Sequence, residues 1–341
     1  MNISRRTRDR AGVSTGSTRC WLFIEPQLPS TWARCNWFIA WQSHFWPRDL
    51  RRRWQRNART DNCSAIDTKR NGTFSVMSAG LWFGLLSPAL VLAGVMASAW
   101  LAAVRYRNGG LADIFWTFGV GAAGGLAALW PWHEALTGRQ ILVAFLVSLW
   151  SLRLGTHILK RSRGAPEDAR YADLRRQWGD RYAQHLFAFL QIQAVAAWPL
   201  VAGIAIAAAR PGSFPDAADA VGIAIFAAGL AGGTVADRQL AACKRDPAMK
   251  GRVCDTGLWA WSRHPNYFFE WVVWCSWPAI AIGPALAFWP GALALLAPLT
   301  MYWLLVHVSG IPPLEEHMER SRGEAFRAYQ RRTPAFFPRP P

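Results

Sequence analysis

From Leu81 onwards the chain alternates between apolar stretches of roughly bilayer length, about 20 residues, and short polar connections. Seven stretches can be read: Leu81–Val104, Leu111–Trp130, Ile141–Leu159, Leu186–Ala209, Ala217–Ala236, Phe268–Pro284 and Leu286–Val308. Three carry an ionisable residue close to one end, Asp113 in the second, Arg153 in the third and Asp219 in the fifth. The fifth reads as the weakest full span. The pattern predicts an all-α, polytopic membrane helix bundle of about seven spans, embedded in a lipid bilayer.

The polar connections differ in charge, and that sets the expected orientation. Lys160–Arg181 holds Lys160, Arg161, Arg163, Arg170, Arg175, Arg176 and Arg181, and Arg238–Arg263 holds six basic residues. The tail after Val308 is also rich in Arg, whereas Trp132–Gln140 and Arg210–Pro215 carry one basic residue each. Basic loops stay in the cytoplasm, so both basic loops and the C-terminus are expected there. Composition agrees with a membrane protein, since 52% of residues are hydrophobic and only 17% charged. The net charge of +17 is then topological, and no nucleic-acid partner is expected.

Residues 1–76 break the pattern. They carry 14 Lys and Arg against 5 Asp and Glu, with no apolar periodicity and no uninterrupted hydrophobic core of a secretory signal. Without them the net charge falls to +8. We expect 1–76 to be a disordered or spurious extension and 77–341, from Met77, to be the membrane domain. Cys243, Cys254 and Cys275 show no paired ligand spacing, so neither a metal site nor a disulfide framework is expected. Gly119-Val-Gly121-Ala-Ala-Gly124 matches a dinucleotide fingerprint, but it needs a preceding strand and falls inside a predicted span. Gly121 with Gly125, and Gly229 with Gly233, read instead as small-residue pairs that let helices approach.

The candidate chemistry gathers around Gly257-Leu-Trp-Ala-Trp-Ser-Arg263-His264-Pro265-Asn266-Tyr267-Phe-Phe-Glu270. Proline suits the first helical turn because its missing N–H would be unpaired there. A helix is therefore expected from Pro265, with Arg263 and His264 beside its positive end, a setting suited to phosphate or carboxylate. Asn266 and Glu270 share a face, with Tyr267 beside it. Glu270 stands at the edge of an uncharged run, where an ionisable group points to function; the bland alternative is a carboxylate snorkelling to water. Pro166-Glu167-Asp168-Ala-Arg170-Tyr171 opens a predicted short helix. Asp237 ends the fifth span, ready for a ribose hydroxyl or a neighbouring Arg. In the tail, Phe326 and Tyr329 fall on one helical face and Arg327 and Arg331 on another, as in a helix folded over the bundle mouth or lying on lipid.

Taken together, Gly257-Leu-Trp, Ser262-Arg-His-Pro-Asn-Tyr267-Phe268, Glu270, Ala236-Asp-x-Gln239, Glu167-Asp-x-Arg-Tyr171 and Arg331-Arg-Thr-Pro-x-Phe-Phe-Pro338 resemble the steroid 5-alpha-reductase-like family. The resemblance covers roughly Leu81 to Pro338 and is closest to the bacterial branch, a domain of unknown function. It is more distant from sterol C14 reductases and isoprenylcysteine carboxyl methyltransferases. It implies a bacterial inner-membrane protein with a cytoplasmic-side cofactor site for NADPH and a small hydrophobic substrate, lipid or steroid-like. By the same resemblance Arg263, His264, Asn266, Asp237, His317, Tyr329, Asp168, Arg170 and Tyr171 would bind the cofactor. One position departs, since Gly233 stands where the branch often has Glu.

The chemistry implied is reduction of a C=C bond conjugated to a carbonyl. Glu270, or else Tyr267, would be the catalytic donor at the carbonyl oxygen, a carboxyl against an apolar wall being able to stay protonated. Asp113 and Trp116 would line the substrate side. Two other readings stand beside it. An S-adenosylmethionine-dependent methyltransferase would use the same Arg-His motif, with Glu315-Glu316 and Tyr329 partly matching its tail. A non-enzymatic transporter would need polar groups spread along a path through the membrane.

Overall fold

The computed structural model describes residue 84 and residues 86–164, 167–249, 251–283 and 288–340. All belong to the unit Gly72–Pro341. The expected extension 1–76 lies outside the described residues, as do Pro166, Lys250, Pro284 and Leu286. Among the described residues every regular element is helical and there is no strand.

The long helices are α1 (Leu86–Arg105), α2 (Leu111–Ala128), α3 (Gly138–Ser162), α5 (Tyr182–Ala209), α6 (Ala217–Arg245) and α8 (Pro265–Ile282). Shorter ones are α4 (Ala169–Trp178) and α7 (Leu258–Trp261). After α8 a 3₁₀ segment Trp289–Leu295, α9 (Leu296–Trp303) and a π-helical turn Leu304–Val308 form one continuous apolar rod. The tail then adds α10 (Ile311–Arg322) and α11 (Glu324–Arg332).

Among the described residues six helices are long and apolar enough to cross a membrane: α1, α2, α3, α5 extended back to Arg170, α6, and the rod from Trp289. They match six of the seven expected stretches, including Ala217–Ala236, which is part of a 29-residue helix. The described part of the remaining stretch, Phe268–Pro284, lies in α8 and its C-cap Gly283, and the Asn, Glu, Pro and Trp residues of α8 dilute its hydropathy. α8 nevertheless runs antiparallel along α6, with Gly222 against Ile280, Gly229 against Val273 and Gly232 against Phe269. A Cβ on Gly229 would sit 2.7 Å from the Val273 backbone nitrogen, so this close approach needs glycine.

Gly119, Gly121 and Gly124 lie in mid-α2, facing Val95, Ser151, and Ile204 with Val147 respectively. The fingerprint is therefore a packing surface, as expected. Its expected partners were partly misassigned, because Gly125 meets nothing within 4 Å and Gly233 meets only the Arg153 guanidinium, at 3.5 Å. Helical drift over the run turns Gly119, Gly121 and Gly124, rather than Gly125, towards neighbouring helices.

One end of the bundle is closed by buried charge. Arg139 Nε and Nη2 each donate to Asp219 at 2.9 Å, and Arg210 donates to Asp216 at 2.7 and 2.9 Å and to Asp219 at 3.0 Å. Asp216 and Asp219 form a capping box that starts α6. The other end carries the loops 105–111, 163–182 and 245–265 and the tail, and all expected site residues lie there.

Candidate functional site

The segment before α8 is built onto α6. Gln239 Oε1 accepts the Leu258 N–H at 3.0 Å and Trp259 Nε1 donates to the Ala236 carbonyl at 3.0 Å. Gly257 turns the chain there with φ +60°, and a Cβ would press on Gln239 at 2.7 Å, so Gly257-Leu-Trp and Ala236-Asp-x-Gln239 form one local contact. Ser262 is extended, His264 is the N-cap and Pro265 opens α8, as expected from proline's fixed φ.

Arg263 and His264 face the tail. Glu315 of α10 accepts from Arg263 Nε at 2.7 Å and Nη2 at 3.0 Å, and lies 2.9 Å from His264 Nε2. Gln330 adds a fourth contact to Glu315 at 3.1 Å, and Arg263 Nη1 donates to the carbonyls of Gln330 and Thr333. The Arg263 N–H donates to the Pro334 carbonyl at 2.9 Å, and Ser262 Oγ to the Phe336 carbonyl at 2.9 Å. Tyr329, buried with Phe326, donates its hydroxyl to the Trp259 carbonyl, and burial pushes that phenol up. The tail is thus a strap folded over the bundle mouth, one of the two readings left open by its Phe326/Tyr329 face, and Arg263 is its anchor, with every nitrogen engaged.

A second layer lies beneath. Glu270 Oε1 accepts two indole N–H groups, Trp150 at 2.7 Å and Trp274 at 2.9 Å. Its Oε2 has no hydrogen-bond partner among the described residues, and the residue is half-buried. Asn266 Oδ1 is buried and unpartnered; of the four such atoms among the described residues, the others being on His133, Arg210 and Trp277, it alone belongs to the expected site. Tyr267 stacks on His264, ring centres 5.5 Å apart. Asp237 receives Arg153 at 2.6 Å and has His157 at 3.7 Å, while Arg153 also donates to Thr234 at 3.2 Å.

The loop after α3 completes the rim. Asp168 caps α4 and takes Arg170 Nε at 3.0 Å; Arg170 Nη2 reaches Asp113 at 2.7 Å, and the Tyr171 hydroxyl donates to Asp113 at 3.1 Å. Burial pushes the Asp168 carboxyl up, but hydrogen bonding to Arg170 and its charge outweigh this and leave it below its ordinary value. Asp113, Asp168, Arg170 and Tyr171 are thus joined in one hydrogen-bonded network at the rim.

Sequence reasoning missed several members. Trp150 came to light only through its partner Glu270; Arg153 stood out as a charge in an apolar stretch, but its link to Asp237 did not. Arg161 and Arg322 bear on Lys244; Arg161 and Lys244 have no carboxylate partner among the described residues. Such convergent like charge suits a polyphosphate. His317 stands apart. It is exposed and lines a polar cavity of about 590 Å³ with Asp173, Arg176 and Arg320, away from Glu270. A larger apolar cavity of about 880 Å³, lined by Trp271, Cys275, Tyr302 and Phe337 among others, contains none of the expected site residues. No cluster of metal-ligating side chains occurs among the described residues.

Comparison with protein families matches residues 99–333 to a family described as a protein of unknown function, DUF1295. Comparisons with curated proteins and with solved structures gave no match.

Proposed function

The chain belongs to the DUF1295 family, and from that premise we propose that it is an integral-membrane, NADPH-dependent reductase of a C=C bond conjugated to a carbonyl in a lipid or steroid-like substrate. The carrying observation is on one face of α8: Asn266 offers a buried, unpartnered amide oxygen, and one turn on Glu270 has one oxygen fixed and the other free. The first suits an amide N–H₂ of a ligand, the second a proton directed at a developing oxyanion. NADPH, when bound, supplies the hydride to the β-carbon. Glu270, held by Trp150 and Trp274, donates its proton from Oε2 to the carbonyl oxygen, with the Tyr267 hydroxyl as the second proton source. Arg161, Lys244 and Arg322 hold phosphate, and the strap with Arg263, His264 and Tyr329 excludes water.

We place this rim in the cytoplasm by its basic loops, with α8 as the seventh span. A reporter fused after Pro341 is then cytoplasmic and one near Gly212 is on the opposite side. The reverse pattern would separate the site from the reduced nicotinamide pool.

Detergent-purified protein tests the reading by thermal shift with NADPH and with S-adenosylmethionine, since a ligand stabilises the folded state by RT ln(1 + [L]/Kd). A shift with NADPH, lowered about one to two decades in affinity by Lys244→Ala or Arg161→Ala, supports the reductase. A shift with S-adenosylmethionine alone would make the chain a methyltransferase, and no shift with either favours a non-enzymatic role.

A further inference from the structure

The loop between α6 and α7 carries a pair of residues that the reductase chemistry does not use. Cys243, in the last turns of α6, is joined to Cys254 by a disulfide, with Cα atoms 6.0 Å apart and a sequence separation of 11. This corrects the expectation of no disulfide: the turn through Pro247–Met249 brings together cysteines whose spacing alone gave no sign. Both are half-buried, hence within reach of small solutes. The loop is also tied to the tail, since the Arg252 carbonyl accepts from Arg322 of α10 and Asp255 pairs with Arg332 of α11. Lys244 adjoins Cys243 in the sequence, and the thiolate is the form that exchanges.

We infer that Cys243 and Cys254 are a reversible dithiol–disulfide pair that latches the C-terminal strap. Closed, it pins the loop to α6, and through Arg252 and Asp255 it holds α10 and α11 over the rim. Open, the loop is released and the strap is retained only by its own anchors. The co-reactant is a low-molecular-weight disulfide such as oxidised glutathione. One cysteine thiolate attacks it, forming a mixed disulfide and expelling one small thiolate. The second cysteine thiolate displaces the other small thiolate, and both expelled thiolates take up the protons the cysteines released. Two protein thiols are oxidised and one small disulfide is reduced to two thiols. The inference draws on the cytoplasmic placement proposed above only for when the latch opens, because a reducing thiol pool keeps such pairs open until the pool is oxidised.

The test uses the full chain in detergent, without NADPH, equilibrated at graded ratios of reduced to oxidised glutathione. Peptide mapping by mass spectrometry reads the Cys243–Cys254 bond, and hydrogen exchange reads residues 311–340. The pair should pass from open to closed across the series, and exchange in the tail should slow by roughly tenfold as it closes, since closing a loop restricts the open state. The Cys243→Ser/Cys254→Ser variant should exchange fast at every ratio. The inference is overturned if the bond stays closed in excess reduced glutathione, if it never forms in excess oxidised glutathione, or if tail exchange is indifferent to it. These readouts involve no cofactor, so failure of the reductase reading leaves them intact. The wild-type series alone decides if the double variant does not fold.

Discussion

Replacing Glu315 by Ala removes the acceptor of four contacts at once: Arg263 Nε at 2.7 Å and Nη2 at 3.0 Å, His264 Nε2 at 2.9 Å and Gln330 Nε2 at 3.1 Å. The Arg263 and His264 side chains are only 11% and 5% exposed, so water replaces the carboxylate poorly. Breaking a buried pair by removing one partner costs about 3–5 kcal/mol. Arg263 keeps two carbonyl acceptors, which puts the change near the lower figure. About 3 kcal/mol is roughly two decades in the population of the opened strap, at about 1.4 kcal/mol per decade. Hydrogen exchange measures this at the Arg263 and Arg339 amides, which donate to the Pro334 and Trp261 carbonyls at 2.9 Å each. Both should exchange about a hundredfold faster while amides in α2 stay unchanged. An acceleration below about threefold would refute the strap as an energetic unit. NADPH affinity should fall with the loosened strap; a rise would mean that Arg263, freed of its partner, is itself the phosphate ligand.

Three further outcomes follow from the geometry. Glu270→Gln keeps size and an acceptor for the two indoles but loses the proton on Oε2, so NADPH binding should persist while turnover falls; equal loss of both, in parallel titration and turnover assays, would place Glu270 in binding alone. Asp219→Asn leaves Arg139 and Arg210 sharing Asp216, and should destabilise the detergent-solubilised protein by about 3 kcal/mol, seen as a lowered midpoint of thermal unfolding; an unchanged midpoint would show the charges to be separately solvated. The hydrogen bond from Arg210 holds the Asp216 carboxyl well below its ordinary value. A depressed folded pKa stabilises above the unfolded value, about 4, and the gain drains away as pH falls through that region. Stability from this end should therefore be flat from about pH 8 to 5 and decline below about 4; a decline beginning near neutrality would point to a different group.

Much of the bundle was legible because each helix announces itself locally. The apolar runs, the proline at the head of α8, the acid before α4 and the Phe326/Tyr329 face all act within one or two turns, so sequence alone could locate them. Ala236-Asp-x-Gln239 and Gly257-Leu-Trp were legible as motifs, but not as one contact. The site was harder because its bonds join residues 52 to 120 positions apart, such as Arg263 to Glu315 and Trp150 to Glu270. No periodicity encodes such pairs. Arg263 looked like a free cation beside a helix N-terminus because its carboxylate lies on another helix. His317 was assigned through the tail as a whole, yet its position two residues past Glu315 turns it to the opposite side of α10.

α8 is the helix whose own hydropathy does not qualify it to cross a membrane, and it is also the one that carries Asn266, Tyr267 and Glu270. Its place beside α6 rests on glycines 222, 229 and 232 and on the indoles that receive Glu270. Both partners, α3 and α6, are synthesised before it. On the seven-span reading proposed above, the six apolar helices leave the translocon during biogenesis on their own partition energy, whereas α8 enters by docking on a surface already present. A lesion in the α6 glycine face would be felt first as failed insertion and turnover of the nascent chain by quality control, before any defect in chemistry could be measured.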